Sequence, residues 1–230
     1  MLEINNYSNY ILKDISFLCE NKDMIILGDN GAGKTTLAKV LSGLISSQSV
    51  SLDDKKLSSI SYEKRVEHIN YIPPKLDIFD DYVDVEEYLS LNNLYDKKHI
   101  DKILELLNIK NLKQKNCKRL SSGESQLLLL ASAILHDARY TILDEPTSNL
   151  DPIKLKKAFD ILKDKNTMQN KIIITHNLNL AYKLGYDLVF IKDGKKVFDG
   201  KSEEFFSSSN LKKYYGDTVK ISENSIVVNI

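Results

Sequence analysis

From residue 24 the chain runs from four apolar residues, Met24-Ile25-Ile26-Leu27, into Gly28-Asp29-Asn30-Gly31-Ala32-Gly33-Lys34-Thr35-Thr36. Leu37, Val40, Leu41 and Leu44 follow at i, i+3, i+4 and i+7. An apolar run that stops at glycine reads as a buried strand, and the later spacing reads as one face of a helix. The turn between them matches G-x-x-x-x-G-K-S/T, in the strand-to-helix setting that this pattern requires. Its glycines let consecutive backbone N–H groups curl around phosphate oxygens, and the helix N-terminus adds the positive end of its dipole. Lys34 is spaced to reach the β- and γ-phosphates of a nucleotide, and the Thr35 hydroxyl to hold Mg²⁺. Residues 28–36 are therefore the candidate ATP contacts, and the chain is restricted to the α/β class.

Further strand signals lie at Tyr140-Thr141-Ile142-Leu143, Ile172-Ile173-Ile174 and Leu188-Val189-Phe190-Ile191, with helix-like stretches at about 153–164 and 178–184. Asp193-Gly194 reads as a hairpin turn, because a two-residue turn with positive φ favours that pair. Ile226-Val227-Val228 reads as an added last strand, after a polar Ser- and Lys-containing segment near 201–213. Ile100, Ile103, Leu104 and Leu107, followed by the apolar run Leu127–Leu135, make about 75–137 a helical subdomain inserted in the sheet domain. At 230 residues the expectation is one domain spanning the chain.

Composition narrows the partners. Lys plus Arg and Asp plus Glu both number 32, so no global field recruits nucleic acid or anionic lipid. Cys19 and Cys117 are far apart with no metal-ligand spacing, as expected of ordinary buried or half-buried thiols in a reducing compartment. The run from Leu127 to Leu135 is about half of the roughly 20 residues that a membrane-spanning helix needs. The N-terminal MLEINNYSNY has neither a basic nor an apolar export region. The expected location is the cytoplasm, with any membrane contact made through a partner.

Asp144 and Glu145 end the 140–143 strand. Two acids at a strand end are common, but beside a phosphate loop Asp144 is placed to orient Mg²⁺ and Glu145 to polarise the water that attacks the γ-phosphate.

Leu120-Ser121-Ser122-Gly123-Glu124, just before the long apolar helix, resembles the L-S-G-G-Q signature of ATP-binding-cassette (ABC) ATPases. With IIITHN around His176 and SNLD at 148–151, that family's motifs recur in order over essentially the whole chain. The resemblance implies the phosphate-loop ABC ATPase fold, a mixed sheet core with an inserted helical subdomain. It also implies a head-to-tail dimer, or a paired ATPase subunit, holding two ATP molecules between one chain's phosphate loop and the other's Ser121 and Gly123. By the same likeness His176 is the switch histidine that contacts the γ-phosphate, and Asp151 is the acid of the dimer-interface loop. Asp151 also reads as an N-cap ahead of Pro152, and the two roles are compatible. In relatives an aromatic residue upstream of the phosphate loop stacks on adenine; Tyr7 or Tyr10 could serve, and spacing favours Tyr7. His68, His99 and His136 match no motif.

The chain departs from the family at three places. Tyr71-Ile72-Pro73-Pro74 resembles a Y-V-P-Q stretch, with Pro74 where relatives carry a glutamine that senses Mg²⁺ and couples to the membrane subunit. No glutamine lies between Gln48 and Gln114, and proline neither ligates Mg²⁺ nor donates a hydrogen bond. Coupling is then expected through other residues of this loop, Lys75 or Asp77. Ser122 replaces the first signature glycine, and Glu124 the glutamine.

A lone cassette disfavours fused exporters and two-cassette translation factors. A soluble regulator or repair ATPase would carry an extra coiled-coil, zinc or nucleic-acid insert, and a phosphate-loop kinase would lack the signature. The implied assembly is a transport ATPase on integral-membrane permease subunits, served indirectly by a substrate-binding protein and with no nucleic acid. Glu124-Ser125-Gln126-Leu127, His176-Asn177-Leu178-Asn179-Leu180-Ala181 and the short tail from Asn210-Leu211 to Tyr215-Gly216 resemble importers of iron-siderophore complexes, haem and vitamin B12.

Overall fold

A computed structural model describes residues 1–91 and 97–229. In chain order the elements are β1 (Leu2–Tyr7), β2 (Ile15–Cys19), β3 (Met24–Gly28), α1 (Lys34–Leu41), β4 (Val50–Leu52), β5 (Lys55–Lys56), α2 (Tyr62–His68), β6 (Ile69–Ile72), α3 (Val85–Leu91), α4 (Lys97–Leu106), α5 (Ser122–His136), β7 (Tyr140–Asp144), α6 (Pro152–Lys163), β8 (Lys171–Thr175), α7 (Leu178–Leu184), β9 (Asp187–Lys192), β10 (Lys195–Gly200), α8 (Ser202–Phe205), α9 (Ser208–Tyr215), β11 (Val219–Ser222) and β12 (Ser225–Val228). They divide between two compact units, residues 1–65 with 172–230, and residues 66–171.

In the first unit β3 lies between β8 and β9, parallel to both, with Ile26 opposite Ile174 on one side and Val189 on the other. All five residues of β3 are buried, the two-sided burial expected of a parallel strand with an unbroken apolar run. β10 then returns antiparallel to β9 through Asp193 and Gly194, both at positive φ as a tight hairpin turn demands. A separate antiparallel sheet runs β2-β1-β4-β5. Under β9 and β10, Phe190, Phe198, Phe205 and Tyr214 pack ring against ring with centroids 5.1–6.5 Å apart. These edge-on and stacked rings anchor α8 and α9 to the sheet.

The stripe on α1 is shorter than its spacing suggests. Leu37, Val40 and Leu41 are buried, but the helix stops at Leu41, Gly43 takes φ +75°, and Leu44 is left 59% exposed.

In the second unit β6 and β7 pair in parallel, with Tyr71 opposite Ile142. α5 buries Leu127, Leu128, Leu129, Leu130 and Ala131 on every side, as a helix apolar all round must. α4 adds Ile100 and Leu104 to this core, and Leu107 just after it is buried too. Of the stretch 75–137 expected to be helical, residues 92–96 lie outside the described residues. Cys19 and Cys117 are buried and form no disulfide.

Candidate nucleotide-binding site

The phosphate loop leaves β3 at Gly28 and enters α1 at Lys34. A side chain at Gly28 would sit 2.4 Å from the Ile191 carbonyl oxygen, so the neighbouring strand excludes one. Gly31 and Gly33 hold φ of +82° and +94°, a region that favours glycine. Gly33 has a second constraint, because a Cβ there would meet Leu12 Cδ2 at 2.7 Å and Ile11 Cγ2 at 2.9 Å. The Lys34 ammonium donates to the carbonyls of Gly28 (2.8 Å) and Asp29 (2.9 Å), folding the side chain across the loop. Thr35 and residues 29–31 are exposed.

α1 begins without a side-chain cap and without an acidic residue in its first turn. α5 and α6 differ, since they begin on Ser121 and Asp151, whose side chains accept backbone N–H groups. The positive end of α1 is therefore not quenched by a carboxylate of its own first turn. Together with left-handed glycines and a lysine, it is a cradle whose chemistry fits a polyphosphate.

His176 follows β8 directly and is exposed. Because Thr175 is opposite Leu27 across the parallel pair, His176 and the start of the phosphate loop leave the sheet at the same edge of neighbouring strands. Tyr7 is 8% exposed, and its hydroxyl accepts from the Asn9 amide at 3.1 Å. Tyr10 is 87% exposed. It stands on a turn in which Asn9 Oδ1 accepts from the backbone N–H groups of Ile11 and Leu12, the two residues packed on Gly33.

The second unit carries the acids. Asp144 is 1% exposed, and the Tyr71 hydroxyl donates to its Oδ2 at 3.1 Å. Burial, followed by the Asp144 charge and this bond, raises the Tyr71 phenol well above its usual range and keeps it a donor. Glu145 next to it takes φ +50°, a conformation that costs a non-glycine residue about 1 kcal/mol and is typical of functional turns. Its carbonyl accepts from Ser148 N–H and, at 3.4 Å, from the Gln126 amide on α5.

Ser121 is the N-cap of α5 in a reciprocal capping box: Glu124 N–H donates to Ser121 Oγ at 3.2 Å, and Ser121 N–H donates to Glu124 Oε2 at 2.7 Å. Lys115 Nζ reaches the same Oε2 at 2.8 Å. A Cβ at Gly123 would lie 3.1 Å from Lys154 Cδ, so the lysine side chain would have to give by a few tenths of an ångström. Asp151 caps α6 by accepting from Lys154 N–H at 2.9 Å and pairs with the Lys154 ammonium; these contacts hold its carboxyl below the ordinary range.

Pro74 and the loop behind it border a cleft of about 480 Å³ shared with Ser122, Gln126 and Asn149. Motif reading had not singled out Tyr71's bond to Asp144 or Lys115's to Glu124, because each joins residues distant in sequence. Among the described residues no group of three His, Cys, Asp or Glu side chains could hold a metal ion by itself. Nor is any helix long and apolar enough to cross a membrane.

Residues 12–148 match the family described as ABC transporter. This chain belongs to the ABC transporter family. It is an ATP-binding subunit of that family, an ATPase with a mixed α/β sheet core. It is 32% identical to the energy-coupling factor transporter ATP-binding protein EcfA1 of Thermotoga maritima, over 86% of this chain and 78% of that protein. It is also 32% identical to a putative ABC transporter ATP-binding protein of Clostridium tetani, but although the match covers 93% of this chain it spans only half of that protein's length. Among solved structures, cbiO1 of Clostridium perfringens, part of the ABC transporter complex cbiONQ, superposes with a TM-score of 0.73 at 25% identity, covering 93% of this chain and 95% of that one.

Proposed function

We propose that this ABC ATPase powers an importer as one half of an ATP-sandwich dimer, seated on the inner face of the membrane through permease subunits. The observation that carries the reading is the uncapped, acid-free start of α1 behind Gly31, Gly33 and Lys34, a polyphosphate cradle within one unit. ATP supplies the γ-phosphoryl group, and Mg²⁺ the charge that neutralises it during transfer. The Thr35 hydroxyl and the Asp144 carboxylate are the hard oxygen donors such an ion takes. Lys34 leaves its two carbonyl partners to hold the β- and γ-phosphates. Glu145 accepts the proton of the attacking water, and His176 orients the γ-phosphate. Ser121 and Gly123 of the second copy close the pocket, and Asp151 lines the seam between copies.

Adenine stacks on Tyr10 rather than Tyr7 in this reading. A stacking ring needs an open face, which Tyr7 at 8% exposure lacks and Tyr10 at 87% offers, on a turn braced against Gly33.

For the cargo we infer an iron chelate, haem or cobalamin, supported by the likeness of residues 124–127, 176–181 and 210–216 to importers of those compounds. Likeness to EcfA1 favours an energy-coupling factor system as the second reading. Uptake into vesicles carrying the permease, measured for each cargo, separates the two. The ATPase assembly itself is tested with Glu145→Gln: with ATP and Mg²⁺ it should elute as a dimer, and with ADP as a monomer. A monomer under both conditions refutes the sandwich.

A further inference from the structure

We infer that Lys115 is a positioning residue of the signature segment, whose charge makes an acidic side chain at position 124 compatible with an incoming phosphate. The inference rests on the ATP-sandwich reading and extends it to a residue outside the family's motifs. Ser121 and Glu124 form one closed unit: the Ser121 hydroxyl accepts from Glu124 N–H at 3.2 Å, and the Glu124 carboxylate accepts from Ser121 N–H at 2.7 Å. A phosphate received by Ser121 Oγ therefore arrives within about one helical turn of a carboxylate. Two anions at that separation repel. The helix start that should attract the phosphate would be offset by its own cap.

Lys115 removes the conflict. Its ammonium lies 2.8 Å from Glu124 Oε2, the same oxygen that accepts from Ser121 N–H. The lysine is not a wandering surface side chain. Its backbone N–H donates to the Leu112 carbonyl at 2.7 Å, and its carbonyl accepts from Val85 N–H at 3.2 Å, at the start of α3. Partial burial, at 35% exposure for Lys115 and 21% for Glu124, limits screening of the pair. Burial alone raises the Glu124 carboxyl, and the lysine together with Ser121 N–H reverses this and brings it below the ordinary range, so the acid stays ionised at neutral pH and needs a counter-charge there. A glutamine at 124 would still accept from Ser121 N–H and would need no counter-charge.

The test is a double-mutant set in the Glu145→Gln chain, following ATP-dependent dimerisation by analytical ultracentrifugation and folding by thermal melting. Lys115→Met should weaken dimerisation about tenfold per site. The dimer has two such sites, so the loss is on the order of 100-fold, and it should shrink as salt rises from roughly 0.05 to 0.5 M. Adding Glu124→Gln to Lys115→Met should restore dimerisation, which a merely structural lysine would not allow. Equal dimerisation with and without Lys115, or a deficit that Glu124→Gln leaves in place in a chain that melts normally, overturns the inference. If Glu145→Gln itself stays monomeric with ATP, the fault lies with the sandwich reading and not with Lys115.

Discussion

At the scale of single residues, the buried carboxylate of Asp144 shows how much one neighbour decides. Burying a polar group is costly unless it is hydrogen-bonded, and Tyr71 supplies this 1% exposed acid with one bond at 3.1 Å from the adjoining strand. Removing the hydroxyl while keeping the ring isolates that bond. Tyr71→Phe should lower stability by about 1.5–3 kcal/mol in a denaturant titration, the range for a hydrogen bond to a charged group. It should also raise the Mg²⁺ concentration needed for tight ATP binding, because a carboxylate held by one bond fewer presents its oxygens less often to a cation. Unchanged stability together with an unchanged Mg²⁺ requirement would remove Tyr71 from the site. The same scale separates the two candidate stacking tyrosines. Distance along the chain ranks Tyr7 first, whereas exposure, which depends on how β1 pairs with β2 and β4, leaves the open ring to Tyr10.

At the scale of elements, legibility followed burial on both faces. β3, β7 and β8 are buried at every position, and their apolar runs stood out in the sequence. The β2-β1-β4-β5 sheet did not stand out, because β1 interrupts its alternation with Asn5 and Asn6 and β4 has three residues. α8 and α9 were hidden by their serines and lysines, although Phe205 and Tyr214 turn a buried aromatic side to β9 and β10. The end of α1 was overrun by Leu44, which repeats the helical spacing past the turn at Gly43. The β11–β12 hairpin tests whether an element this small holds by itself, since a two-stranded hairpin in water is marginal. Asn179 on α7 grips it from the side, its amide donating to the Ile226 carbonyl and its Oδ1 accepting from Ile226 N–H, both at 2.7 Å. Asn179→Ala should cost about 1–3 kcal/mol for the two bonds and raise hydrogen exchange across residues 219–228 while β3 stays protected. Exchange unchanged in the hairpin would mean that packing alone holds it.

At the scale of the whole molecule, the open question is how an ATPase without the loop glutamine reports its nucleotide state to a permease. Pro74 stands on the wall of a cleft that Gln126 shares, and Gln126 in turn donates to the Glu145 carbonyl. Pro74 and Glu145 are thus linked through Gln126 on α5 within one unit, and proline has no side-chain donor to offer a water. Restoring the glutamine adds such a donor and removes a fixed φ. Pro74→Gln should lose about 0.4–1 kcal/mol of stability through the freer unfolded chain. If the added amide orients the attacking water as an ordinary hydrogen bond does, phosphate release should rise about 2- to 10-fold. Transport by the reconstituted assembly should rise less than hydrolysis, because a permease matched to a proline loop gains nothing from a new donor inside the ATPase. Should hydrolysis and transport both stay at the parent values, the proline is neutral and coupling already runs entirely through its neighbours, with Lys75 and Asp77 the next residues to replace.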